Sequence, residues 1–373
     1  MDRYLKNQIV SDLEKKMVFI VGPRQVGKTW LAQNIAENYQ DTLYLNYDNP
    51  ADREVINAQS WFPDVELIIF DEIHKMKSWK NYLKGVFDTK PALQKILVTG
   101  SARLDVFRQS GDALTGRFFR FRLFPVSYKE MDSFGLSKAL DKFIFSSGFP
   151  EPFLATTDSE IKRWRKMYID GIIRNDVIDF ENIRDFRAMY TLVELLRYRV
   201  GSQISFRSLA EDIGTSPNTI TKYIEILEAL FIVFRVYPYS KNIARSLKKE
   251  PKLYFYDTGL VKGDDGIKAE NLVAVSLLKN VYGEQDFEGK NTELYYLRTR
   301  EKKEVDFCLT EEDELTQLIE VKLSENNPAK NLLYFKEKYN IPATQIVFKL
   351  KTEMIKHGVK IRDAIKFLKE LSY

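Results

Sequence analysis

Between Gly22 and Thr29 the chain reads Gly22-Pro23-Arg24-Gln25-Val26-Gly27-Lys28-Thr29, and no other eight residues constrain its fold as tightly. Five apolar residues, Met17-Val18-Phe19-Ile20-Val21, run into the first glycine, and a helical stretch from Thr29 to about Glu37 follows. A strand that turns through glycines into a helix is the setting required of a Walker A phosphate loop. The glycines let backbone N–H groups wrap an anion, and the helix adds the positive end of its dipole. Lys28 is expected to meet the β and γ phosphates of ATP, and Thr29 to offer its hydroxyl to Mg²⁺. Trp30 completes the expected nucleotide-contacting run.

Such a loop needs a parallel sheet behind it, and the first 130 residues supply one. Thr42–Tyr47, Leu67–Phe70, Lys95–Thr99 and Phe119–Val126 join Met17–Val21 as apolar runs separated by helical stretches. Near-continuous apolar strands imply a sheet covered on both faces, with ligands beyond its carboxyl ends. One of those ends carries Asp71-Glu72, where Asp71 is expected to hold Mg²⁺ and Glu72 to polarise the attacking water. Ser101, after the strand Lys95–Thr99, is a candidate to orient that water. Arg117 is a candidate arginine finger for its own or a neighbouring subunit, which brings in a homo-oligomer.

Composition narrows the class. A hydrophobic fraction of 44% and a charged fraction of 29% are those of a globular chain, and no run reaches the length of a membrane span. The start, Met1 to Lys16, carries Asp2, Asp12 and Glu14 and does not read as a signal peptide. A single cysteine, Cys308, excludes an internal disulfide framework, and the expected compartment is the cytoplasm. The net charge of +4 is mild, but two clusters stand out. One comprises Lys241, Arg245, Lys248, Lys249 and Lys252, the other Arg103, Arg108, Arg117, Arg120 and Arg122. Clustered positive charge suits either a phosphate-bearing partner or a solvated face.

Residues 131–185 read as a helical lid. From 186 to 260 the order is helix, helix, turn, helix and hairpin, that of a winged helix-turn-helix. Ser205 caps one short helix, and Ser216-Pro217 opens the next with the apolar stripe Ile220, Tyr223, Ile224 and Leu227. If that last helix enters a major groove, Asn218, Thr219, Thr221 and Lys222 face the bases, with Arg245, Lys248 and Lys249 near phosphates on the wing. This set is poor in base-reading arginines, so DNA contact should be weakly sequence-specific and salt-sensitive.

In residues 261–373, Glu320 and Lys322 are two apart in a strand and share a face, and Asp306 points away from Val305 and Phe307. Glu270 lies four residues before Ala274, at the end of the stripe Ala274, Leu277, Leu278 and Val281. Together Glu270, Asp306, Glu320 and Lys322 match the PD-(D/E)xK nuclease pattern, in which the acids hold Mg²⁺ and the lysine activates water.

Further motifs carry a resemblance: Phe70-Asp71-Glu72-Ile73-His74-Lys75, Thr99-Gly100-Ser101, Leu114-Thr115-Gly116-Arg117-Phe118, Leu123-Phe124-Pro125-Val126-Ser127, Gly148-Phe149-Pro150 and Tyr256-Asp257-Thr258-Gly259-Leu260. With the phosphate loop, they make the chain resemble prokaryotic ATPases of the AAA type related to the signalling STAND branch. That resemblance implies an ATPase core at 1–130, a helical lid, a winged helix and a C-terminal α/β domain of restriction-endonuclease-like type. His74 stands where many relatives carry glutamine. Three functions stay open: an ATPase acting on DNA, an ATP-gated nuclease, and a signalling switch that binds protein partners.

Overall fold

The structure, a computed structural model, describes residues 3–100, 114–136, 140–177, 185–240 and 249–373. Two compact units divide the chain, Met1–Phe124 with Ala229–Phe231, and Pro125–Glu228 with Ile232–Tyr373.

In the first unit β1 (Met17–Val21), β2 (Thr42–Asn46), β3 (Leu67–Asp71), β4 (Lys95–Thr99) and β5 (Phe118–Arg122) form one parallel sheet in the order β2-β3-β4-β1-β5. Every residue of β1 and β3 is buried, which is why both read as unbroken apolar runs. Phe19, Phe70, Leu45 and Val98 meet Leu83 and Val86 of the helix Trp79–Thr89 in the core. The last strand ends four residues earlier than its apolar pattern predicts. Pro125 has no N–H to continue a ladder, and the Phe124 carbonyl accepts instead from Arg3 Nη2 at 2.5 Å. Register aligns the carboxyl ends: Asn46 opposes Asp71, and Thr99 opposes both Asp71 and Ile20.

The second unit begins with helices. Thr157 and Glu160 form a capping box that starts Asp158–Gly171, and Trp164 and Tyr168 of that helix stack on each other and meet Phe149 at tilted angles. The expected three helices follow as Phe186–Arg197, Phe206–Ile213 and Pro217–Ala229. Ser205 caps the second and Gly214, at φ 79°, ends it. The hairpin is β6 (Val233–Pro238) against β7 (Lys252–Phe255), antiparallel.

That hairpin does not stand alone. β6 pairs in parallel with β8 (Thr292–Arg298) through Tyr237–Tyr295 and Pro238–Tyr296. With β9 (Glu304–Glu311), β10 (Glu314–Lys322), β11 (Ala343–Val347), β12 (Met354–Lys356) and β13 (Val359–Asp363) it builds a mixed eight-stranded sheet, β12-β13-β11-β10-β9-β8-β6-β7. One sheet therefore spans the boundary expected at residue 260. The helix carrying Glu270 starts at Asp265, five residues before that glutamate, because Asp264 caps it by accepting from the Ile267 amide.

Candidate functional site

The loop from Gly22 to Thr29 connects β1 to the helix Lys28–Ala36. Gly22 is required twice over: its φ is +151°, and a Cβ there would lie 2.3 Å from the Leu123 carbonyl oxygen. Gly27 is left-handed at φ 96° and, as N-cap, leaves the first helical amides without a side-chain acceptor. Lys28 is buried and donates to the carbonyls of Gly22 (3.0 Å) and Pro23 (2.7 Å). Val26 is fully buried, whereas Arg24, Gln25 and Trp30 are exposed around the loop. Arg3, which the sequence reading missed, braces the loop from below. It is buried and donates to the Val26 carbonyl at 3.2 Å as well as to Phe124.

Asp71 gathers four donors at the end of β3. Thr29 Oγ1 (2.9 Å) and Tyr44 Oη (2.6 Å) donate to its Oδ2. Thr99 Oγ1 (2.6 Å) and the Glu72 amide (3.0 Å) donate to its Oδ1. Tyr44 and Thr99 arrive from the two neighbouring strands through the aligned register, a relation invisible in local sequence. Burial, and then the bond to Asp71, raise the Tyr44 phenol well above its ordinary value, so it stays a donor across neutral pH. Thr29 and Asp71 present the hard oxygen ligands that Mg²⁺ prefers, and these residues fit that ion.

Glu72 takes a left-handed conformation, φ 55°, directly after the strand. Such a conformation is uncommon for a non-glycine residue and is often found where a side chain must be aimed. Its Oε2 lies 3.4 Å from Lys75 Nζ and 3.6 Å from the buried His74 Nε2. Burial raises the Glu72 carboxyl above its ordinary range, against the opposing pull of Lys75.

Ser101 falls outside the described residues, as do Arg245 and Lys248; Lys249 is described and exposed. Arg117 forms a two-pronged pair with Asp88, at 2.8 and 3.1 Å, and its carbonyl accepts from the Met17 amide. Met17 opens β1 and the phosphate loop leaves its other end, about 13 Å away at ~3.3 Å per residue. Arg117 therefore lies at the end of β1 opposite the phosphate loop of its own chain. In the helix Pro217–Ala229, Asn218 and Lys222 are exposed. The hydroxyls of Thr219 and Thr221 are engaged locally, with Ser216 Oγ (2.9 Å) and the Pro217 carbonyl (3.0 Å).

The four C-terminal residues do converge. Lys322 Nζ donates to Glu320 Oε1 at 2.7 Å, the Val321 amide to Asp306 Oδ2 at 2.8 Å, and the Asp306 amide approaches Glu320 Oε2 at 3.4 Å. Residues that the nuclease pattern does not contain join them. Lys252, counted above in a basic surface cluster, is in fact 2% exposed. Its Nζ lies 2.7 Å from Glu304, 3.4 Å from Glu270 and 3.9 Å from Asp306. Glu304 also pairs with Arg298, and Tyr254 donates to Glu270 at 2.7 Å. The signal was period two: Lys252 with Tyr254, and Glu304 with Asp306, each share a strand face. Burial, and then Asp306, push Glu270 up to about 7 and Glu320 up to about 8. Among the described residues no three His, Cys, Asp or Glu side chains are grouped to hold a metal ion. With an ammonium among these carboxylates, the residues present do not fit a divalent cation.

Residues 14–132 match the family model of an AAA domain. Residues 137–270 and 265–367 match two domains of unknown function (DUF8612 and DUF4143). An uncharacterized protein of Methanocaldococcus jannaschii is 26% identical over 361 residues, covering 86% of this chain and 78% of its own. One of Haemophilus influenzae is 26% identical over 365 residues, covering 86% of each. Among solved structures, a Walker-type ATPase of Pyrococcus abyssi aligns with a TM-score of 0.46 and 13% identity over 69% of this chain and 94% of that one. The RuvB Holliday junction branch migration motor of Thermotoga maritima aligns with a TM-score of 0.33 and 19% identity over 62% and 87%. No helix among the described residues is long and apolar enough to cross a membrane.

Proposed function

We propose, from the AAA-type P-loop domain at residues 14–132, that this chain hydrolyses ATP and couples the hydrolysis to contact with DNA. The observation that carries the first half is the meeting of Thr29, Asp71 and Glu72 beside the glycine loop. The loop amides and Lys28 hold the phosphates, and Gly22 and Gly27 let the backbone close on them. Thr29 and Asp71 hold Mg²⁺, whose charge offsets that of the phosphate oxygens. Glu72 accepts the proton of the attacking water; burial raises its affinity for that proton and so suits it as a base. Arg117 serves a neighbouring subunit's phosphates in a homo-oligomer, since its own phosphate loop lies at the opposite end of β1.

The DNA half rests on the three helices and hairpin at 186–255. Asn218 and Lys222 are exposed polar side chains in the third helix's first turns, and Lys249 is exposed beside β7. With the threonine hydroxyls engaged locally, little remains to read bases, and phosphate contact dominates. The test is steady-state ATP hydrolysis with Mg²⁺, with and without duplex, single-stranded or branched DNA, using Lys28→Ala and Glu72→Gln as controls. Stimulation by one DNA form, lost as salt rises, is the expected result. A sound basal rate unmoved by any DNA would refute the coupling and favour a switch with protein partners. Activity per chain should also fall on dilution; full turnover by a dilute monomer would remove Arg117 from the mechanism.

A further inference from the structure

We infer that Lys252 holds the place of the divalent cation in the carboxylate cluster of Glu270, Glu304, Asp306 and Glu320, so that this PD-(D/E)xK-like site is closed and does not cleave DNA. The ammonium sits within 2.7–3.9 Å of three of the four carboxylates and 5.5 Å from the Tyr296 ring centroid. Its stem rises from β7, at the edge of the sheet, yet the side chain is only 2% exposed. Turning it aside would break three ion-pair contacts at once and leave Glu270 and Asp306 without a cation within 4 Å among the described residues.

Each of the four carboxylates has a further donor as well. Glu270 accepts from Tyr254, Glu304 from Arg298, Asp306 from the Val321 amide and Glu320 from Lys322. Magnesium requires near-octahedral oxygen ligation at about 2.0–2.1 Å, and here it would compete with the Lys252 ammonium for the same carboxylate oxygens. Charge leads to the same conclusion. Even with all four carboxylates ionised, Lys252, Lys322 and Arg298 leave an excess of a single negative charge, so a dication would make the cluster net positive.

What the cluster does instead is join elements. Lys252 belongs to the hairpin, Glu304 and Asp306 to β9, and Glu270 to the helix Asp265–Gly283. Gly201, at φ +71°, lies so close to Glu270 that a Cβ would come within 2.9 Å of its Oε1. The ion pairs thus tie the hairpin strand β7 and the helix Asp265–Gly283 to β9, and the cluster serves as a joint.

The test counts Mn²⁺ bound to the nucleotide-free full-length chain by electron paramagnetic resonance, and follows cleavage of plasmid and branched DNA with Mg²⁺ or Mn²⁺. Wild type and Asp306→Asn should bind the same number of ions, and neither should cleave. One ion fewer in Asp306→Asn, or wild-type cleavage lost in that variant, would overturn the inference. Lys252→Met should gain one bound Mn²⁺, abolished by adding Asp306→Asn; a folded Lys252→Met that gains none also overturns it. If Lys252→Met fails to fold, the wild-type and Asp306→Asn pair decides alone.

Discussion

Removing one oxygen from Tyr44 tests whether the four donors on Asp71 organise the phosphate site. Tyr44→Phe deletes the 2.6 Å bond to Oδ2 and keeps the ring, and Thr99→Val deletes the 2.6 Å bond to Oδ1 at nearly constant volume. Hydrogen bonds to a charged group are worth about 1.5–3 kcal/mol, and partners behind a metal ligand typically change metal affinity by about 10–100-fold. The loss should appear only where Asp71 acts. Nucleotide affinity is therefore measured twice, with Mg²⁺ and with excess EDTA, by fluorescence of a labelled ATP analogue. Affinity in EDTA, which depends on Lys28 and the loop amides, should match wild type. The gain in affinity produced by Mg²⁺ should shrink by about 10–100-fold in each variant. In the double variant the losses should not simply add, because both act on one carboxylate. An unchanged Mg²⁺ gain in both single variants, with wild-type melting curves, would refute the idea that these donors organise Asp71.

Two further predictions concern the second unit. Arg165 is buried and donates to both oxygens of Asp257, at 2.8 and 3.3 Å; Arg165→Met strands that carboxylate and should cost about 3–5 kcal/mol in urea melts. Adding Asp257→Leu should recover part of the loss, and a double variant no more stable than Arg165→Met alone would argue against the pairing. The second follows from Glu270 and Glu320, raised to about 7 and about 8 from an ordinary glutamate value near 4.3. Between those limits the folded chain keeps a proton that the unfolded chain releases, so stability falls as pH rises from about 5 to 8, by at most about 1.4 kcal/mol per unit for each proton held. Lys252 is raised above its own ordinary range and titrates outside this window. Glu270→Gln, a mimic of the protonated acid, should flatten the slope; an identical slope in wild type and variant would refute the assignment.

What could be read from sequence was what is local. β1 and β4 match their predicted ends because strands buried on both faces are uninterrupted apolar runs. The phosphate loop was legible because its chemistry lies in eight consecutive residues. Arg3, Tyr44 and Thr99 were not, because their roles arise from contacts with distant residues and the register of three separate strands. Lys252 was misassigned to a surface cluster for the same reason. Nothing near residue 252 indicates that β6 will pair with β8 and carry β7 up to three acids from residues 270–306.

The motifs that carried the resemblance divide in the same way, and the division limits what they imply. Gly148 is fixed because a Cβ there would fall 2.0 Å from the Val126 carbonyl oxygen, and the two residues already exchange a 2.7 Å backbone bond. Ser127 caps a helix through Glu130, and the buried Lys279 ties both down at 3.0 and 2.7 Å. In Tyr256–Leu260, Asp257 holds Arg165, Thr258 donates to the Ile144 carbonyl at 2.9 Å, and Gly259 leaves room for the Arg165 guanidinium. These segments fix how elements of the second unit meet; their groups are spent on one another. A match in them therefore supports a shared architecture. A shared reaction has to be argued from the loop at Gly22–Thr29 and from Asp71 and Glu72, where backbone amides and carboxylate oxygens are arranged toward a ligand.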